Sequence, residues 1–147
     1  MGKLLKRNLK KFMKKFEFLE HTADFKMKVL GKTKEELFQN ALIGMQVALQ
    51  PKVQNKKSKV KTIVVRSVDL SALLVDFLSE VLYLIQVNQE IYNVIKFEKF
   101  SDREIRVDLF GQKVERFGED IKAVTYNNLE ICQNKDKILE AIILFDV

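Results

Sequence analysis

The segment from Asp69 to Ile85 constrains this chain more than any other. Leu70, Leu73, Leu74, Phe77, Leu78, Val81, Leu84 and Ile85 recur at helical spacing, which makes one wide apolar stripe of the kind a helix buries in a core. Asp69 stands where an N-cap carboxylate accepts from the first free amides. Asp76 and Glu80 interrupt the stretch, so it lacks the roughly 18 to 20 uncharged residues of a membrane span. A core helix is therefore expected, and an integral membrane protein is not.

Most of what remains reads as short and extended. Phe16 to Leu19 and Phe25 to Leu30 are expected strands, the second alternating Phe25, Met27 and Val29 with Lys26 and Lys28. Thr33 and Glu36 form a capping box for a first helix, with Phe38, Leu42, Met45 and Leu49 on one face. Pro51 ends it. Lys52 to Lys61 is lysine-rich and polar, so it reads as a solvated loop leading into a strand from Val60 to Val68. Further strands are expected at Ile91 to Phe100, Ile105 to Phe110, Leu129 to Cys132 and Ala141 to Phe145. Strands outnumber helices and come in adjacent runs, which suits hairpins. The expected class is α+β, a mostly antiparallel sheet packed with two amphipathic helices in a single compact domain.

The net charge of +6 is unevenly spread. Seven of the 26 basic residues, Lys3, Lys6, Arg7, Lys10, Lys11, Lys14 and Lys15, precede Phe16 with no acid among them, which leaves 19 against 20 acidic residues beyond. Residues 1–14 are thus read as a basic N-terminal arm and 15–147 as a nearly neutral folded domain. Leu5, Leu9 and Phe12 of the arm recur at helical spacing with Phe16, the first residue of the first expected strand. Two readings stay open: a mobile solvated arm, or a basic amphipathic segment for RNA phosphates or a membrane surface. Met13 stands just before the folded body, so the preceding residues also read as an upstream extension. No apolar stretch follows the lysines as a secretory signal requires.

One cysteine and one histidine exclude an intramolecular disulfide, a Cys/His zinc cage and any design that needs two imidazoles. A reducing, cytoplasmic setting is expected. None of the five glycines falls in a G-x-x-x-x-G-K or G-x-G-x-x-G motif, so no nucleotide of its own is expected.

Three segments are more specific. FEFLEHTADFKMKVLGKTKEELFQNA, DLSALLVDFLSEVLYL and IKAVTYNNLEI…AIILFDV together resemble the archease family, in this order and at similar spacing, from Lys15 to Val147. The EHTAD corner, the KAVTY segment and the terminal Phe-Asp-Val carry the likeness best. The resemblance implies an α+β fold. It further implies a non-catalytic protein cofactor for a GTP-dependent RNA ligase of the RtcB type, which joins RNA ends in tRNA splicing or RNA repair. Such a cofactor promotes guanylylation and multiple turnover of the ligase. A second implied role is a chaperone-like modulator of a tRNA methyltransferase, with tRNA engaged indirectly.

By the same resemblance, Asp24, Asp146 and a terminal oxygen of Val147 match metal-binding positions. The implied cofactor is a divalent cation, Ca2+ with Mg2+ or Mn2+ as alternatives. Asp24, Lys122 and Asp146 match positions tied to ligase activation. The chain departs from the family at Phe25-Lys26, where many members have Ile-Gly, and at Asn127-Asn128, where many have His-Gly.

Taken alone, the same residues leave plainer readings open. Asp24 follows a turn-like corner and suits an Asx turn or a cap. Asp146 follows the apolar run Ala141 to Phe145, so an acid and the terminal carboxylate end a strand together. Such a pair repels unless a cation or base compensates, and hard cations prefer oxygen ligands; a frayed terminus is the alternative. His21 suits a structural corner better than a general base, and a small hydrolase built on it lacks a clear nucleophile. Cys132, among apolar residues, is expected to be buried and inert.

Overall fold

The computed structural model describes residues 15–19, 25–126 and 129–147. Among them the chain forms β1 (Phe16–Leu19), β2 (Phe25–Gly31), α1 (Lys34–Ala48), β3 (Pro51–Lys57) and β4 (Lys61–Arg66). It continues through α2 (Leu70–Asn88), β5 (Glu90–Phe100), β6 (Glu104–Phe117), β7 (Ala123–Thr125), β8 (Cys132–Gln133) and β9 (Leu139–Asp146). Every strand pairing is antiparallel.

The strands divide between two sheets, a finer arrangement than composition reveals. One is five-stranded, ordered β1-β2-β9-β7 with β8 also on β9; the other is four-stranded, with β3, β4 and β5 all paired to β6. Both helices start where capping predicts. Thr33 Oγ1 accepts from the Glu36 amide at 3.1 Å and Asp69 Oδ1 from the Ala72 amide at 2.8 Å, satisfying donors that the first turn leaves free.

The helices pack against strands of both sheets and share one core. Leu73, Leu74, Phe77, Leu78, Val81 and Ile85 of α2 are fully buried. So although α2 is long and apolar enough to cross a membrane by length and composition, its stripe is spent on the protein interior. Phe38 stacks on Phe77 at 5.7 Å and meets Phe100 edge-on at 5.0 Å, tying α1, α2 and β5 together. Offset and edge-on ring pairs add to burial.

Three expectations need correction. Lys52 to Lys61 is not a loop: β3 occupies most of it, paired with β6 from Pro51↔Phe117 to Lys57↔Gln112. Six of its seven residues are exposed, so this irregular strand has no apolar alternation to betray it. Leu129 to Cys132 contributes only the start of the two-residue β8. Cys132 is exposed rather than buried, because β8 is only two residues long, both exposed, while the neighbouring Ile131 packs against the core.

Candidate functional site

The end of β9 is where the sequence-derived residues gather. β2 pairs with one side of this strand and β7 with the other, with Phe25 opposite Phe145 and Ala123 opposite Asp146. Just before β7 the Lys122 amide donates to the Asp146 carbonyl at 2.7 Å. The backbone thus fixes Lys122 beside Asp146 independently of either side chain. Both side chains are exposed and neither has a hydrogen bond or ion pair among the described residues.

The segment leading into Lys122 is held throughout. Gly118 N–H donates to the Gln50 carbonyl at 2.9 Å and Glu119 N–H to that of Leu49 at 3.2 Å. Gln86 of α2 donates its side-chain amide to the Ile121 carbonyl at 2.8 Å, while the Ile121 side chain is buried. Beneath Asp146, Phe145 lies in the core and its ring sits 5.9 Å from that of Phe25, which in turn lies 5.1 Å from Phe18. A charged edge therefore rests on an aromatic base, which limits how far it can shift.

Beside this edge opens a cleft of about 560 Å3 whose walls include Phe18, Phe25, Val47, Glu119, Asp120 and Val147. Its walls combine apolar side chains with the two carboxylates of Glu119 and Asp120. Glu119 and Asp120 did not stand out in the sequence; the signal available was their position one residue ahead of the KAVTY segment.

His21 and Asp24 lie outside the described residues, as do the arm 1–14 and Asn127-Asn128. Asp24 is the covalent neighbour of Phe25, and Phe25 pairs with the residue preceding Asp146. The remaining donors implied for a divalent cation, Asp146 and Val147, offer oxygen only and are exposed, which is the right chemistry for Ca2+ or Mg2+. They are too few, since Ca2+ takes about six to eight oxygens. Among the described residues no three His, Cys, Asp or Glu side chains are grouped to hold a metal. The described donors alone do not complete a cation site.

A second charged cluster is internal. Glu90, fully buried, accepts from Lys61 and from the Tyr92 hydroxyl at 2.7 Å, and lies 3.2 Å from Lys113. Burial pushes its carboxyl up, but hydrogen bonds from Lys61, Tyr92 and Lys113 outweigh this and hold it below the usual carboxylate range. Burial, reinforced by the Glu90 carboxylate, pushes the Tyr92 phenol up. The paired groups anchor β4, β5 and β6 to one another, and the cluster is structural.

Two antiparallel sheets around a two-helix core, with an exposed acid and lysine fixed at one strand end, define a small α+β domain. The chain belongs to the archease family: the Archease protein family (MTH1598/TM1083) matches residues 16–147. Protein archease of Methanosarcina barkeri is 36% identical over 131 residues, covering 84% of this chain and 90% of its own. Protein archease-like of Dictyostelium discoideum is 31% identical over 134 residues, covering 85% and 89%. The fold matches the solution structure of Methanobacterium thermoautotrophicum protein 1598, with a TM-score of 0.67 at 24% identity, covering 92% of this chain and 100% of that one. It also matches a Thermotoga maritima crystal structure described as an archease, possible chaperone, with a TM-score of 0.64 at 22% identity, covering 88% and 94%.

Proposed function

We propose that this chain is a non-catalytic activator of a GTP-dependent RNA ligase of the RtcB type, promoting its guanylylation and multiple turnover in tRNA splicing or RNA repair. The observation that carries this reading is the fixed pairing of Lys122 with Asp146 at an exposed edge, since these are two of the positions tied to activation by family resemblance. An exposed lysine and carboxylate on a rigid strand end suit recognition of a partner's charged groups, because little side-chain order beyond their own rotamers must be gained on docking. Asp24 completes the proposed constellation. With it, Asp146 and a terminal oxygen of Val147 would hold a divalent cation, Ca2+ or alternatively Mg2+ or Mn2+, whose chemistry would be to gather these oxygens into one geometry. The protein would act in the cytoplasm, off the membrane, with the nucleotide bound by its partner.

The test is an assay of the ligase with GTP and cleaved RNA, with and without this chain. Stimulated guanylylation and repeated turnover support the reading, and no stimulation by the full chain overturns it. A second reading, modulation of a tRNA methyltransferase, is favoured by the cleft between Phe18, Val47 and Val147, whose apolar walls suit a chaperone-like contact. A methyltransferase whose tRNA selectivity changes when this chain is added, beside an unaffected ligase, would select it.

A further inference from the structure

The four-stranded sheet, separate from the one that carries the Lys122–Asp146 edge, has a basic stretch on and after β3. Residues 51–68 contain no acid and six basic residues. Lys52, Lys61 and Arg66 are paired with Glu115, Glu90 and Glu104. Lys56, Lys57 and Lys59 are exposed and have no ion-pair partner among the described residues. Of the three, Lys57 lines a groove of about 470 Å3 where β3 ends against β6, together with Asn55, Val60, Asn93, Phe110 and Gln112 and with no acid in its lining; Lys56 and Lys59 flank it in sequence.

The floor of this groove is apolar and open. Val60, Val94 and Phe110 are 53%, 57% and 38% exposed, and Val94 lies opposite Phe110 in the β5–β6 ladder. Amides frame it. Asn93 donates to Gln112 Oε1 at 3.1 Å and Gln112 donates to the Gln54 carbonyl at 2.9 Å, which leaves the Asn93 side-chain oxygen as an acceptor. Ser58 also lines the groove, but its Oγ is buried and has no hydrogen-bond partner.

We infer that this groove binds single-stranded RNA. A sheet surface that presents a ring beside lysines and amides offers the elements of single-strand recognition: a face for a base to stack on, cations for the phosphates and polar groups for base edges and the ribose hydroxyl. An acidic protein surface would use the lysines but not the ring. The lysines are close together in sequence, and Phe110 lies two residues before Gln112, the residue paired with Lys57. The inference rests on no part of the ligase reading, because neither Lys122 nor Asp146 contributes.

The experiment is fluorescence anisotropy of the full chain with a labelled oligouridine of about 12 nucleotides, titrated with salt. Phe110→Leu, which keeps an apolar side chain but removes the ring, should weaken binding about tenfold without changing the salt slope, the signature of one lost stack. Phe110→Tyr should bind like the parent. Lys57→Ala with Lys59→Ala should lower the slope of log affinity against log salt by about 1.4, two single-strand phosphate contacts. The lysine-rich arm is present in every variant, so its share cancels. The inference is overturned if the parent does not bind, or if neither set of substitutions changes binding. It is also overturned if polyglutamate competes as well as oligouridine while Phe110→Leu is silent, which would assign the lysines to an acidic protein.

Discussion

The Lys122 amide donates to the Asp146 carbonyl oxygen at 2.7 Å, so the two residues are joined through backbone while both side chains remain exposed. Their side-chain chemistry can therefore be removed without undoing their position. This separation makes the proposed activation site testable by substitution.

Lys122→Ala should reduce stimulation of ligase guanylylation by about tenfold or more, the scale of losing one partner of an interfacial charge pair, with cation affinity unchanged. Asp146→Asn should reduce stimulation and cation affinity together. Guanylylation by radiolabelled GTP and calorimetric titration with Ca2+ read the two effects separately. Melting temperatures should stay near that of the parent, because both side chains are solvated.

Glu90 gives a prediction about acid stability. Its carboxyl is held below the usual range in the folded protein, so the native state binds its proton less readily than the unfolded chain does. The stabilisation is then fully present above the unfolded value of about 4.3 and is lost as pH falls through the lower folded value. Glu90→Gln should cost about 2 kcal/mol at pH 7, the scale of hydrogen bonds to a charged group. The deficit should shrink as pH falls below about 4.3, where the unfolded parent takes up the proton, and should be lost once pH passes the lower folded value. Urea midpoints at the two pH values measure the difference.

Two positions on α2 separate burial from helix propensity. Phe77 is fully buried against Phe38 and Phe97, and Phe77→Ala should cost about 3 to 5 kcal/mol through lost transfer energy and the cavity left behind. Tyr83, on the same helix, is 59% exposed. Tyr83→Ala should change stability by less than about 0.5 kcal/mol. Thermal unfolding of both variants distinguishes them.

What could be read before any coordinates depended on periodicity. The α2 stripe, the caps at Thr33 and Asp69, and the alternation of Met27 and Val29 are local patterns in which one face is buried, and each led to the observed element. β3 carried no such pattern, since a strand exposed along nearly its whole length need not alternate. β7 is three residues long, below the length at which alternation is visible. Its partner β9 and the amide of Lys122 define the edge, and these are long-range relationships that no sequence window contains. The Glu90 cluster was equally illegible: Lys61, Glu90 and Lys113 are separated along the chain and meet only because β4, β5 and β6 form one sheet. Lys122 was singled out through family resemblance and Asp146 through that and its place after the apolar run Ala141 to Phe145, whereas Glu119 and Asp120 emerged only with the cleft.

Gly111 of β6 is closely approached by Ser58, just after β3, and by Ile91 and Tyr92 of β5. A Cβ there would lie 2.6 Å from Ser58 Oγ, 2.7 Å from the Ile91 carbonyl oxygen and 2.8 Å from Tyr92 Cδ1, so the glycine is required by space. Gly111→Ala should cost about 2 kcal/mol, within the range for overpacking a filled site. Ser58→Ala removes a buried hydroxyl that has no partner and should be neutral or stabilising by about 0.5 kcal/mol. If Ser58 Oγ were the main obstacle, the double variant would recover nearly all of the loss. Two of the three contacts belong to Ile91 and Tyr92, and the Ile91 oxygen is backbone that cannot rotate aside. Recovery in Gly111→Ala with Ser58→Ala should therefore be less than half, and a double-mutant cycle on urea unfolding measures it. Full recovery would show that β5 yields where the packing says it is fixed.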